Sequence, residues 1–207
     1  MIKLLGRSSS INVRKVLWTL AELGAQYEHE EWGNDAMPLQ SEYFIALNPN
    51  GMVPVLQHDG LTIWESNAIC RYLAARFERY DLLPLAPAER VLVEQWMDWQ
   101  ATELNNSWRY AFMGLIRRSP THQDQHAIQA SQENWNRHMA ILDATLSQRG
   151  GYVLGSNFTL ADVPLGLSVH RWYMTPFERP QLAAVRAYYE LLSQRPAYLR
   201  HGRNEQP

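Results

Sequence analysis

A single cysteine, Cys70, stands among 207 residues. That excludes an internal disulfide, a CxxC redox pair and a thiolate metal site, and it fits a reducing, cytoplasmic setting. Excess charge is also missing. Nineteen Lys and Arg face 21 Asp and Glu, for a net charge of −2. With no basic run, a nucleic-acid surface is not expected. No apolar stretch approaches the roughly 20 residues that a membrane-spanning helix needs. The first residues, Met1-Ile2-Lys3-Leu4-Leu5-Gly6, enter a strand pattern directly and lack the apolar core of a signal peptide. No set of residues has metal-ligand spacing, so no metal is expected. An apolar fraction of 46% against 19% charged residues marks a globular chain with enough apolar material for a real core.

What is present divides near residue 80. Ile2 to Leu5 reads as a short buried strand. From Asn12, the residues Val13, Val16, Leu17, Leu20 and Leu23 recur at helical spacing, and Gly24 is placed to end the helix. Tyr27 to Trp32 reads as a second strand and Val53 to His58 as a third. Asp59-Gly60 is a hairpin turn, and Leu61 to Trp64 is the returning strand. A helix then starts near Glu65 with Ile69, Tyr72, Leu73 and Phe77 on one face. The order is βαβ, a loop, then ββα. Tyr80 to Pro87 carries two prolines and reads as a linker. Beyond it the pattern is all helical: a long helix from Ala88 to about Arg118, bent near Asn105-Asn106, then helices over 122–149, from Thr159, and over 181–194. The expected architecture is an α/β domain over 1–79, a linker over 80–87 and an all-α domain over 88–207.

Thr159-Leu160-Ala161-Asp162 matches a capping box with Asp as the acid, and Phe158 and Val163 are placed to staple it. It is read as a structural device. Two other stretches point to chemistry. In Asn48-Pro49-Asn50-Gly51-Met52-Val53-Pro54, a turn runs into a Val-Pro step. Proline has no N–H and suits a strand edge or start, which leaves the N–H and C=O of Val53 free for an extended ligand. In Trp64-Glu65-Ser66-Asn67, an acid and a hydroxyl stand at a helix start, where backbone N–H groups bind carboxylates. Together they predict a site for a small peptide-like molecule with a free amino-acid end.

These motifs, with Glu65-Ser66-Asn67-Ala68-Ile69, Phe158-Thr159-Leu160-Ala161-Asp162 and Arg195-Pro196-Ala197-Tyr198, resemble the soluble glutathione S-transferase family in the same order along nearly the whole chain. The Ser-rich loop after the first strand, with no tyrosine at that strand's end, looks like the serine-type (theta-like, zeta-like) bacterial branches. The resemblance implies a thioredoxin-like N-terminal domain and a helical C-terminal one. It also implies a homodimer in which the long helix's start packs on the Glu65 helix of a second copy. Glutathione is then the co-substrate and a small electrophile the second substrate. Ser10, in Ser10-x-x-x-Arg14, is implied as the hydroxyl that stabilises the thiolate, with Asn12 adding a second hydrogen bond. Ser8 and Ser9 compete with Ser10, and helix capping is the other reading of both Ser10 and Asn12. Val53 beside a cis Pro54 is implied to pair with the cysteinyl part, and Glu65 and Ser66 to hold the γ-glutamyl end. Met52 stands where relatives often have Lys, Arg or Gln, so either Gln40 or Lys15 takes the glycyl carboxylate or glutathione binds more weakly here. Trp108 and Phe112 are candidates for the electrophile pocket. Isomerase, dehalogenase and disulfide-reductase chemistry share such a site, and some proteins of this architecture are non-catalytic binding modules.

Overall fold

The structure, a computed structural model, describes residues 1–207. The N-terminal half is β1 (Ile2–Leu5), α1 (Ile11–Leu23), β2 (Tyr27–Glu30), α2 (Glu42–Leu47), β3 (Val55–His58), β4 (Leu61–Trp64) and α3 (Ser66–Arg76). The strands form one sheet in the order β2-β1-β3-β4. The α1 crossover makes β1 and β2 parallel, while β3 runs antiparallel to both β1 and β4. Asp59 and Gly60 both take positive φ, 49° and 80°, as a two-residue hairpin requires. Leu4 and Leu5 point to opposite faces and both are fully buried, so the sheet is covered on each side.

The helical half is α4 (Pro87–Trp99), a π-helical turn over Gln100–Leu104, α5 (Asn105–Leu115), α6 (Gln125–Arg149), α7 (Asp162–Met174), α8 (Ala183–Leu192) and α9 (Pro196–His201). Where a bend at Asn105-Asn106 was expected, the helix instead widens over the five residues before that pair. The second long helix starts at Gln125 and not at 122, because the Asp124 carboxylate caps it by accepting from the Ala127 N–H at 2.9 Å. The helix expected from Thr159 starts at Asp162. The Thr159–Asp162 box closes a turn ahead of the helix: Asp162 Oδ2 accepts from the Thr159 N–H at 2.8 Å. The Thr159 hydroxyl donates to that same oxygen at 3.2 Å and so does not cap Asp162, as the motif predicted it would. Phe77 falls just past α3 and is exposed, outside the buried face where periodicity placed it.

The two halves share one core. α1 carries apolar and polar residues that are buried all round, because the sheet and α3 lie on one side and α7 and α9 on the other. Trp18 of α1 packs on Phe158 and Tyr198 at centroid distances of 5.7 and 4.7 Å. Gly166 lets α7 come this close: a Cβ there would sit 2.7 Å from Leu192 Cδ1 and 3.0 Å from the Trp18 ring. The N-terminal end of α1, where β1 delivers the chain, is thereby fixed between the sheet and the helical half.

Candidate active site

Three backbone features converge at the end of β1. The Val53-Pro54 peptide bond is cis. β3 begins only at Val55, two residues later than the sequence pattern suggested, because Pro54 has no N–H to offer the ladder. The N–H and C=O of Val53 consequently make no hydrogen bond within the protein. Gly6, with φ of 150°, brings the loop after β1 against this step: a Cβ at Gly6 would stand 2.6 Å from Val13 Cγ2 and 2.9 Å from Val53 Cβ. Glu65, just before α3, has φ 70° and ψ 109°. Such a backbone is disfavoured for a residue with a Cβ and is found where surrounding structure enforces it, often at ligand sites. Its side chain is exposed and unpaired, and Ser66 behind it is 6% exposed.

The serine run separates by position. Ser8 is exposed, and both its N–H and its hydroxyl donate to the Glu31 carboxylate. Ser10 is the extended N-cap residue of α1, yet its side chain makes no capping bond. Its hydroxyl is half-buried at the positive end of the helix and free to donate. Asn12 does not cap either. Its Oδ1 accepts from the Ser66 hydroxyl at 3.4 Å, which joins the start of α1 to the start of α3. Sequence spacing gave no sign of that contact. Asn67 ties α3 to α4 by donating to the Met97 carbonyl at 2.8 Å.

Of the two candidates for the glycyl carboxylate, Gln40 is exposed and lies over the turn before Val53, with Nε2 2.8 Å from where a Cβ of Gly51 would stand. Met52 is 62% exposed. Lys15 is not available there. It is 3% exposed, and its Nζ donates to Gln100 Oε1 at 2.8 Å in the π-helical turn, where Gln100 in turn donates to Ser168. Burial pushes its ammonium down to about 8, because no carboxylate pairs with it. A buried charge held by one neutral partner is a net cost to folding. Lys15→Met removes that cost but leaves the buried Gln100 Oε1 without its donor, so any gain in urea denaturation at pH 7 is expected to stay below about 2 kcal/mol. Cys70 is buried, accepts from the Thr19 hydroxyl at 3.2 Å, and has its thiol pushed up to about 11 by burial. It is a core residue, not a nucleophile.

Trp108 and Phe112 lie in the core at 6% and 3% exposure, with their rings edge-to-face at 5.4 Å. The Arg171 guanidinium covers both, 4.6 Å from the Trp108 centroid and 4.0 Å from that of Phe112. The helical aromatic stripe marked these two residues, but nothing in the pattern marked Arg171. The one available signal was a cation inside the apolar run Leu165 to Trp172. No group of three or more His, Cys, Asp or Glu side chains is placed to hold a metal ion.

Residues 1–75 match the family model described as glutathione S-transferase, N-terminal domain. Glutathione S-transferase GstB of Escherichia coli strain K12 is 40% identical over 202 residues, covering 95% of each chain. The chain belongs to the glutathione S-transferase family. Glutathione S-transferase 3 of Zea mays is 30% identical over 95% of this chain and 91% of its own. Among solved glutathione S-transferases, the theta-class protein of Xanthomonas axonopodis pv. citri, solved with glutathione bound, superimposes with a TM-score of 0.92 at 40% identity, over 100% of this chain and 99% of that one. The family match spans Ser10, Val53-Pro54 and Glu65-Ser66, and the full-length relatives extend the likeness through the helical half that carries Trp108, Phe112 and Arg171.

Proposed function

We propose that the cleft at the N-terminal ends of α1 and α3 binds glutathione and that Ser10 prepares its thiol for attack on a small electrophile. The protein is a glutathione transferase. The observation that carries the site reading is a set of unpaired groups on neighbouring stretches of chain, the Val53 N–H and C=O, the Glu65 carboxylate and the Ser10 hydroxyl, beside strands that pair Leu5 with Val55 and Val55 with Trp64. Val53 offers a backbone donor and acceptor to the extended cysteinyl unit. Glu65 meets the γ-glutamyl ammonium, while Ser66 and the α3 N-terminus meet its carboxylate. Gln40 reaches toward the glycyl end.

A free thiol has an ordinary pKa near 8.5, so only a few per cent is thiolate at neutral pH. A hydroxyl donating to sulfur, with the α1 N-terminus behind it, favours the charged form. Asn12, held by Ser66, keeps this donor in register with the γ-glutamyl subsite. The thiolate then attacks the electrophile, which Trp108 and Phe112 back from the helical side. Titration with glutathione, followed by conjugation of a reference electrophile, tests the reading. Failure to bind at millimolar concentration would overturn it in favour of a non-catalytic assembly role.

Three further readings accompany it. Residues 1–79 and 88–207 act as two domains joined by 80–87. The chain works in the cytoplasm, a reading supported by its one buried thiol. It forms a homodimer through the exposed apolar residues Trp64 of β4, Phe77 after α3, and Val91 and Leu92 of α4. Sedimentation equilibrium is expected to give twice the chain mass, and Leu92→Glu to shift it toward the monomer.

A further inference from the structure

We propose that Arg7 binds the glycyl carboxylate of glutathione, a charge that Met52 cannot meet. The inference rests on the glutathione reading of this site and deepens it by giving the remaining end of the ligand a partner. The sheet register fixes where that end falls. Glu30 pairs with Leu5, Leu5 with Val55 and Val55 with Trp64, so one row of residues crosses the sheet from β2 to β4. Glu65 follows the row on β4, Val53 lies just before it on β3, and the loop from Gly6 to Ser10 follows it on β1. All three stand at the same end of the sheet. With the γ-glutamyl end at Glu65 and the cysteinyl unit at Val53, the glycyl end runs across β1 toward β2. Strands lie about 4.8 Å apart, so β4 to β2 is roughly 14 Å. Three extended residues span roughly 10 Å, and the γ-linkage lengthens that reach.

The β2 side is short of cations. Residues 30 to 57 contain no Lys, Arg or His but four acids, Glu30, Glu31, Asp35 and Glu42. A carboxylate arriving there needs a cation from another part of the chain. Lys3 is paired with Glu30 at 2.7 Å, and Lys15 is buried against Gln100. Arg14 is 2% exposed and donates to the carbonyls of His201 and Gln206. Arg7 remains. It is half-buried, and its one hydrogen bond runs from Nη1 to the Gly33 carbonyl at 3.3 Å, which brings it from the end of β1 to the start of the β2–α2 connection. A Cβ on Gly33 would stand 2.7 Å from Arg7 Nη1 and 3.5 Å from Leu39 Cδ1, so the guanidinium lies close to Leu39. Gln40 is the next residue, and its amide lies over the Gly51 turn ahead of Val53. Leu39 and Val53 pack on the same buried cluster, which includes Leu5 and Val55 of the row. Arg7 and Gln40 therefore stand on either side of Leu39, beside the β2 end of the row. The guanidinium donors that Gly33 leaves free match the two oxygens of a carboxylate.

Glutathione and its glycinamide analogue differ at that end alone. Calorimetric titration is expected to show the wild type binding glutathione about 10-fold tighter than the amide, the low end for a hydrogen bond to a charged group because Arg7 is half-buried. Arg7→Gln should bind the amide as the wild type does and lose the preference, and Arg7→Lys should keep part of it. In turnover, Arg7→Gln should raise KM for glutathione about 10-fold and leave kcat at saturation unchanged, because the glycyl end is held equally in the ground and transition states. Equal binding of glutathione and the amide to the wild type would overturn the Arg7 assignment and leave the glutathione reading standing, a comparison that needs no variant to fold. Full preference retained in Arg7→Gln would also overturn the assignment, and so would a loss of both ligands in equal measure. A wild type that binds neither ligand would overturn the glutathione reading and the assignment together.

Discussion

Replacing Ser10 with alanine is expected to lower the rate of glutathione conjugation by roughly 10- to 100-fold, the worth of one hydrogen bond to a charged atom in a partly desolvated site. Glutathione affinity should change little, because the Val53 backbone, Glu65 and Ser66 are untouched. The loss should therefore appear in kcat and in kcat/KM alike, the pattern of an interaction made to the reacting atom. The pH–rate profile carries the second signature. With the hydroxyl gone, the bound thiol's apparent pKa should rise toward its ordinary 8.5, so the deficit is largest near pH 6.5 and narrows as pH rises. Ser9→Ala is the necessary companion. Ser8 is tied to Glu31, so Ser9 is the one remaining hydroxyl in the run. A full rate in Ser10→Ala with a deficit in Ser9→Ala would move the role by one residue.

The parts of the site legible in the sequence are those fixed by local chemistry. The Val53-Pro54 step follows from proline's missing N–H, and the Glu65-Ser66 site from hydroxyl and acid placement at a helix start. The first helix and its Gly24 terminator follow from 3.6-residue periodicity, and Gly24 indeed takes φ of 61°. What the sequence hid depends on distant chain. Arg14 sits in an apolar helical stripe, and nothing nearby says whether it is a solvated cation or a buried clamp. Residues 187 to 193 positions further on decide it. Lys15 looked free to reach a ligand because its burial is imposed by the helical half, through Gln100. Trp108 and Phe112 satisfy a helical stripe equally well as pocket or as core, and only Arg171 lying across them distinguishes the arrangement. The Asn12–Ser66 contact joins two helix starts 54 residues apart, which spacing alone does not reveal.

The Asp162→Ala variant is expected to lose about 3–5 kcal/mol of stability, the scale on which removing one member of a buried polar network is felt. The Asp162 side chain is fully buried and both its oxygens are used twice. Oδ1 accepts from the Val153 N–H at 3.1 Å and the Tyr188 hydroxyl at 2.9 Å, and Oδ2 from the N–H and the hydroxyl of Thr159. Alanine would orphan four donors from three parts of the helical half and leave a cavity. The pH dependence has a definite sign. Burial pushes the Asp162 carboxyl up to about 6 from an ordinary 3.8, against the pull of its hydrogen bonds. A folded pKa above the unfolded one means that its contribution is full below about pH 4 and is lost as pH rises through 6. The gap between wild type and Asp162→Ala should therefore be wider at pH 5 than at pH 7.5 in urea denaturation. His170 and His201 act in the opposite direction. Burial lowers both to about 4 from 6.5, so their contribution is full above 6.5 and is lost as pH falls through 4. Between pH 6 and 4 the unfolded chain binds two protons at these histidines while the folded chain binds one at Asp162. The balance favours unfolding, and the wild type should become less stable on acidification even as Asp162 contributes more. If the gap instead widens with rising pH, the four donors hold the carboxylate ionised, and the hydrogen bonds outweigh the burial.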